Sequence, residues 1–532
     1  MAVGARPGRI DPVWPAAIAA LICAAPLLAV AALGVFGPWT DYMAHIAATR
    51  LPAYLGHTAL VTIVAALGAG LIGAPLAFLV ARCAFPGRSV FEWLLALPLA
   101  MPAYAAAYAW YDLTQIAGPL GGAVPTVRGP VGAGLIFALT LYPYVYLLAR
   151  EAFAGQSADA YDAARTLGSG PVEAFRRAAL PMARPAVAAG LALVVMESLA
   201  DYGAVAHLGA PTLSVGLIRA WAGEGAVADA ARLALILVAV AFVLFALERS
   251  QRRRARQSTA SGKRRPPRRA GLPAPLAGLA VLACAAPVLA GLIIPLARLG
   301  WRALSAPVAR DLMSSAANSL LLAVLSGAIA AALGLAAAYA LRSGRRRAVA
   351  AARLAGLGYA VPGSVAALGV LALLGAAQTG LDGVWTRLFG AGFPVLLTGG
   401  VAALIFAYQS RFAAAAIGPA ESALARVTPT LDAASRTLGA GPSETAWRVH
   451  RPLILSGALL AALLVFVEVL KELPATMILR PFNFDTLAVT AHNYASDERL
   501  GEAALPALLI ALIALPAMVV IARRITSSEA AR

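Results

Sequence analysis

The chain has 532 residues, 61% of them hydrophobic and 13% charged, with a net charge of +18. Its mean hydropathy is +0.79, and a soluble protein this apolar could not cover its surface with polar groups. The basic charge does not form a nucleic-acid-binding face, because much of it sits in one run, ERSQRRRARQSTASGKRRPPRRA, from Glu248 to Ala270.

Arg6 and Arg9 precede an apolar run that begins near Val13 and ends near Phe36. That run is longer than the apolar core of a secretory signal, so an uncleaved first membrane span is expected. A helix needs about 20 mainly apolar residues to cross the hydrocarbon layer. Twelve runs qualify, at about 14–36, 57–81, 90–111, 131–153, 185–205 and 230–248, then 273–299, 317–341, 349–375, 395–416, 453–472 and 503–523. They lack period-two alternation and are too long for strands, which excludes a β-barrel. Cys23, Cys83 and Cys284 fall in or beside apolar runs with no metal-ligand spacing and are read as small core residues. Basic residues collect in one set of loops: Arg82 and Arg88, Arg150 to Arg184, the central run, Arg342 to Arg353, Arg411 to Arg451, and Arg523 with Arg524. The positive-inside tendency makes that side, with both termini, cytoplasmic.

The chain repeats itself. GPVEAFRRAALP from Gly170 matches GPSETAWRVHRP from Gly441, and DAARTLG ending at Gly168 matches DAASRTLG ending at Gly439. At the same offset Glu197 matches Glu468 and Asp201 matches Glu472; nearer the start of each half His57 matches Asn318 and Pro102 falls opposite Pro362. Six spans per copy give both copies the same topology, related by an axis along the membrane normal. The expected organisation is a first half at 1–248, a basic cytoplasmic linker at 249–270, and a second half at 271–532. The expected fold is an all-α integral membrane protein of about twelve transmembrane helices in two parallel six-helix repeats.

The most informative segments are the matching loops at about 154–184 and 417–452. Each reads as a helix, a glycine turn and a second helix opened by Pro171 or Pro442, since proline suits a first-turn position. Short amphipathic helices of this kind suit a groove on another protein. The pattern of an acidic residue, two alanines and a downstream glycine resembles the coupling motif of ABC-type importer permeases. The resemblance implies a type I importer permease fold, with these loops docked on an ATP-hydrolysing subunit. Asp162, Ala163, Ala164 and Gly168 carry the motif in the first copy. In the second copy Ala433 takes the acidic position, with Asp432 one residue earlier, followed by Ala434 and Gly439.

VEVLKELPATMILRPFNFDTLAV from Val467, YASDERLGEAALPALL after it, and DYGAVAHLGAPTLSVGLIRAW from Asp201 are similar to ferric-iron importer permeases. Thiamine permeases share the fused arrangement, and phosphonate and polyamine permeases share much of the architecture. Ionisable residues within a span mark a pathway or a helix contact. Glu197, Asp201, Glu468 and Glu472 are therefore candidate pathway or gate residues, each pair spaced to share a helix face, and carboxylates suit a hard cation. Asp201 and Glu472 near the outer surface, or Lys471 neutralising an acid, would instead make these packing or gating groups. His207, His450 and His492 are scattered and read as loop residues, not ligands.

The chain has no GxxxxGK[ST] loop to cradle phosphates and no constellation of catalytic groups, so it is not expected to be an enzyme. The resemblance places ATP and Mg on cytoplasmic ABC ATPase subunits, two copies being expected, with no cofactor on this chain. It also implies an extracytoplasmic substrate-binding protein, docking on the loops near 206–229 and 473–502, and a bacterial cytoplasmic (inner) membrane location. A twelve-span secondary transporter is the rival class. RCAFPGRS and RSGRRRAVA occupy the loops where its signature would fall, without the acidic-glycine pattern it requires.

Overall fold

The computed structural model describes residues 13–155, 158–258 and 269–530; Arg6, Arg9 and residues 259–268 of the expected linker lie outside that set. Among the described residues, ten helices are long and apolar enough to cross a membrane. An eleventh span results if Arg88–Ala100 and Ala103–Thr114, which meet at 89°, count as one. This is a multi-pass helical membrane protein. The short strands Cys83–Ala84 and Ala270–Gly271 pair in parallel and bring the end of the linker beside the turn that follows Leu51–Arg82.

Two expected spans are broken by the same chemistry. The run at 90–111 is not one helix: it stops in a 3-10 turn at Leu97–Ala100 and restarts at Ala103. The run at 349–375 straddles a second break, with Arg346–Ala355, a 3-10 turn at Gly356–Ala360, and then Gly363–Phe389. Pro102 and Pro362 cap the restarting helices, while Met101 and Val361 before them are extended. Proline pushes its predecessor out of the helical region and offers no N–H to the turn before it. The expected span at 230–248 falls within the helix Val227–Ser258, and side chains in its second half lie outside the described set.

The chain forms two compact units, each drawing on both sequence halves. One comprises Met1–Pro38, Ala226–Leu235 and Met313–Thr486; the other comprises Trp39–Gly225, Ile236–Leu312 and Leu487–Arg532. The expected halves are repeats in the chain; the compact units cut across them, because the first helix of each half packs with the body of the other.

In the first unit Val13–Phe36 lies against Arg346–Ala355, Gly363–Phe389 and Val401–Leu424. Ala16, Ala337, Ala340, Ala348 and Ala352 form a buried cluster there, and the Cys23 thiol donates to the Gln409 carbonyl at 3.9 Å. In the second unit Leu51–Arg82 runs along Gly129–Ala154. A methyl group on Gly73 would meet Val145 Cβ at 2.8 Å and the Tyr142 carbonyl oxygen at 2.9 Å. Gly334, at the matching position of the first unit, would meet the Ala416 carbonyl at 2.7 Å. Without a hydrophobic drive between lipid-bathed helices, close backbone approach through small residues supplies the contact.

Candidate functional site: the paired loops and the acids of the fifth span of each half

Both loops fold as helix, turn, helix. The first loop helix is Ala158–Thr166 and the second is Pro429–Thr437. Each ends at a glycine in the left-handed region, Gly168 at φ +91° and Gly439 at φ +85°. The next N–H reaches back across that glycine: Ser169 donates to the Ala164 carbonyl at 3.0 Å, and Ala440 donates to the Ser435 carbonyl at 3.1 Å. This is a Schellman termination, which satisfies orphan carbonyls and needs a residue without a Cβ penalty. Pro171 and Pro442 then open four-residue helices, Pro171–Ala174 and Pro442–Thr445.

Each loop enters the following span through a π-turn, Phe175–Ala179 or Ala446–His450. Leu180 donates to the Phe175 carbonyl and Arg451 to the Ala446 carbonyl, five residues back in both cases. Pro181 and Pro452 come next. A proline cannot donate to the carbonyl four residues earlier and its ring crowds that carbonyl, so the widened turn relieves both problems.

The two loop helices are tied to their neighbours by different groups. In the first copy Phe78 packs against Tyr161 at 5.3 Å, Phe175 at 4.9 Å and Phe153 at 5.5 Å between ring centroids. The Arg82 guanidinium lies 5.6 Å from the centre of the Tyr161 ring. In the second copy Asp432 stands at the position of Tyr161 and Tyr339 at that of Phe78. There the Asp432 carboxylate accepts from Arg342 at 2.7 Å and from His450 Nε2 at 2.7 Å. The Tyr339 hydroxyl lies 2.9 Å from His450 Nδ1. Ser435 and Thr445 join the second helix pair through a buried hydroxyl contact of 2.8 Å; Ala164 and Ala174 hold the matching places in the first.

The motif residues all lie on the loop helices or at their ends. Asp162, Ala163 and Ala164 are on the first, and Asp432, Ala433 and Ala434 on the second. The side chain of Asp162 lies outside the described set. The Asp432 carboxylate faces the membrane helices, while Ala433 is exposed. Beside each glycine a leucine stands in the open: Leu167 is 86% exposed and Leu438 is 87% exposed.

The acids are placed differently from the expectation of shared helix faces. The helix expected to reach residue 205 ends at Ala200, and its counterpart ends at Lys471. Asp201 and Glu472 are the extended residues just beyond, so neither shares a helical face with Glu197 or Glu468. Both cap the next short helix: Ala204 N–H donates to Asp201 Oδ1 at 2.8 Å, and Ala475 N–H donates to Glu472 Oε1 at 3.1 Å. Glu472 is 5% exposed and is paired with Arg411 at 2.6 Å. Lys471 pairs with Glu468 at 3.1 Å.

Arg411 corrects the sequence reading, which grouped it with the basic loop residues. It is buried within Val401–Leu424, and an arginine inside an apolar run is itself the signal for a buried partner. The histidines are likewise not in loops. His207 ends the helix Gly203–His207 against Tyr108 at 4.5 Å, His492 lies on Leu487–Ser496 against Tyr202 at 5.3 Å, and His450 sits in the π-turn. Among the described residues, no group of three His, Cys, Asp or Glu is arranged to hold a metal ion.

Comparison with known proteins places this architecture. Residues 63–257 match the family model described as binding-protein-dependent transport system inner membrane component. The chain is 24% identical over 473 residues to the Fe(3+)-transport system permease protein FbpB 2 of Haemophilus influenzae, covering 87% of this chain and 88% of that protein. It is 30% identical over 182 residues to the molybdenum transport system permease protein ModB of Escherichia coli, covering 31% of this chain and 78% of that protein. It is also 29% identical over 172 residues to the sulfate transport system permease protein CysT of Salmonella typhimurium, spanning 62% of that relative. With its apolar helices and paired loops, the chain belongs to the family of inner-membrane permease components of binding-protein-dependent, ABC-type transport systems.

Proposed function

We propose that this permease imports ferric iron delivered by an extracytoplasmic binding protein, driven by ATP hydrolysis on separate cytoplasmic subunits. The observation that carries the substrate is the reach of the similarity. The ferric-iron relative aligns through both halves of the chain, whereas the molybdenum and sulfate relatives each align with 31% of it.

In this account the two loop helices dock on two ATPase copies, which bind ATP and Mg; this chain binds no cofactor. The support is their matched termination, with Leu167 and Leu438 exposed at the same place beside Gly168 and Gly439. A leucine exposed at a fixed point of a rigid turn is the sort of anchor a partner groove buries. The loops face the cytoplasm, as do both termini, and the segments near 206–229 and 473–502 meet the binding protein. Glu197, Asp201, Glu468 and Glu472 act at the gate and not as a free acidic lining. Supporting this, Asp201 and Glu472 cap breaks that follow the long helices, and both acids of the second half are already paired with cations.

A second reading is an oxyanion importer, favoured by the higher local identity to molybdenum and sulfate permeases. Uptake of labelled ferric iron, molybdate, sulfate and thiamine by cells with and without this chain separates the readings. Loss of iron uptake alone supports the proposal; loss of an oxyanion or of thiamine uptake instead would overturn the substrate and keep the permease class.

A further inference from the structure

Each loop is gripped from the same kind of neighbour, the end of an earlier long helix: Leu51–Arg82 for the first copy and Leu312–Ser343 for the second. In the first copy one ring there touches three segments at once. Phe78, one turn before the end of Leu51–Arg82, meets Phe153 at 5.5 Å, Tyr161 at 5.3 Å and Phe175 at 4.9 Å. Phe153 lies at the end of the span before the loop, Tyr161 is on the loop helix, and Phe175 opens the π-turn after it. From this arrangement we infer that Phe78 is a positioning residue of the coupling loop. Through it, displacement of Ala158–Thr166 is passed to Leu51–Arg82, and not only along the chain into the span that follows. This rests on the docking of the loops on ATPase subunits proposed above.

The two routes out of the loop helix differ in stiffness. The route along the chain crosses the Gly168 turn, the four-residue helix Pro171–Ala174, the π-turn Phe175–Ala179 and Pro181 before it reaches the body of Leu180–Ala200. Prolines and π-turns are where helices bend, so part of a push along the chain is absorbed there. The route through the rings crosses none of these. Tyr161 bears on Phe78, and Phe78 is carried on a continuous helix. The three ring pairs have interplanar angles of 57°, 58° and 84°, and offset or edge arrangements at such distances are the ones aromatic rings favour. Close-packed side chains transmit strain, so a shift of Tyr161 either carries Phe78 with it or breaks a favourable contact.

Arg82, four residues on and so on the same helix face, adds a second hold on the loop helix with its guanidinium 5.6 Å from the centre of the Tyr161 ring. The second copy repeats the geometry with other chemistry. Tyr339 stands at the position of Phe78 and reaches the π-turn, its ring 5.9 Å from that of His450. Arg342, on the same face as Tyr339, reaches the loop helix at Asp432. In both copies an aromatic ring and an arginine one turn apart bind the long helix to the loop. What the copies share is the contact and not the residues that make it.

The test uses the full-length chain in lipid nanodiscs with its ATPase subunits bound. It reads the change in hydrogen exchange produced by a non-hydrolysable ATP analogue with Mg. Comparing nucleotide-bound and nucleotide-free states of one variant subtracts any static loosening that its substitution causes. In the wild type both Ala158–Thr166 and the last two turns of Leu51–Arg82 are expected to respond. Phe78 is half-buried, and Phe78→Leu keeps an apolar side chain without the ring. There the loop helix should still respond, while the response of Leu51–Arg82 falls several-fold. Phe78→Tyr, which keeps the ring, should restore it. Leu312–Ser343, with Tyr339 intact, is the internal control and should respond equally in every variant.

A response of Leu51–Arg82 that survives in Phe78→Leu would overturn the inference and leave the docking of the loops standing. So would its absence from the wild type while the loop helix responds, or an equal fall in Leu51–Arg82 and Leu312–Ser343. A wild-type loop helix that ignores the nucleotide would overturn the docking itself, and the inference with it.

Discussion

His450 Nε2 lies 2.7 Å from Asp432 Oδ1, linking the turn that opens the eleventh expected span to the loop helix before it. The residue one place on from Asp432, Ala433, holds the position where the first copy has Asp162. The offset acid is thus the one turned inward toward Arg342 and His450, and the outward position carries a methyl group.

Gly168 and Gly439 are required by their backbone, not by crowding. Both have positive φ, and a Cβ on either would meet nothing within 4 Å. Valine in the left-handed region costs about 1–2 kcal/mol, enough to unwind the Schellman turn and shift the exposed leucine beside it. Gly168→Val and Gly439→Val should insert and purify as wild type but lose several-fold in substrate moved per ATP. Asparagine, which tolerates that region, should retain most of the ratio. Reduced membrane insertion of the valine variants would show that the turn serves assembly instead.

Arg411 and Glu472 form a buried ion pair inside the membrane-spanning region. Removing one partner strands the other charge, at about 3–5 kcal/mol, whereas replacing both with apolar residues of similar size is often neutral. Arg411→Met should therefore lower the thermal midpoint in detergent more than Arg411→Met combined with Glu472→Leu. Gly363 lies directly beneath the Glu472 carboxylate, so Gly363→Ala should displace the pair and destabilise the protein although only a methyl group is added. Equal midpoints for the single and double variants would refute a stability role for the pair.

Asp112 is a second buried anchor, accepting from Arg298 Nε at 2.6 Å and from Arg302 Nε at 2.8 Å. It fastens the end of Ala274–Leu304 to Ala103–Thr114. Asp112→Asn should cost a few kcal/mol, at the lower end of the buried-pair range of about 3–5 kcal/mol, because Arg302 is partly exposed. Arg302→Ala should cost less than Asp112→Asn, since Arg298 still neutralises the acid. The reverse order, read from thermal midpoints, would contradict this account.

The close helix approach of the second unit gives a steric prediction. Gly73→Ala forces a methyl group against Val145 and the Tyr142 carbonyl, and overpacking of this kind costs about 1–3 kcal/mol. Gly278→Ala, where a Cβ meets nothing within 4 Å, should be neutral. Similar losses at both sites in a detergent melt would remove packing as the explanation.

The class of fold and the paired loops were legible in the sequence for physical reasons. Apolar runs of spanning length have few alternatives in lipid. Gly168 and Gly439 with Pro171 and Pro442 spell a helix end and a helix start. The broken spans were hidden by hydropathy, because Met101-Pro102 and Val361-Pro362 are as apolar as their surroundings; the alignment of the two prolines was the available clue. Arg411 was read as a loop residue because charge was counted by side of the membrane and not by depth. The contacts around His450 were out of reach, since Tyr339, Arg342, Asp432 and His450 meet only through the fold, and the matching positions in the first copy hold other residues. The exchange of first helices between units also leaves no mark on local pattern.

The central claim is ATP-driven ferric import through this chain, and reconstitution tests it most directly. Proteoliposomes holding the chain, its ATPase subunits and its binding protein are assayed for labelled ferric iron uptake, with internal or external ATP and with imposed ion gradients. The account predicts uptake that requires ATP on the side of the paired loops, needs the binding protein, and collapses in the combined Gly168→Val and Gly439→Val variant. Uptake driven by an ion gradient without ATP, and indifferent to that variant, would contradict it.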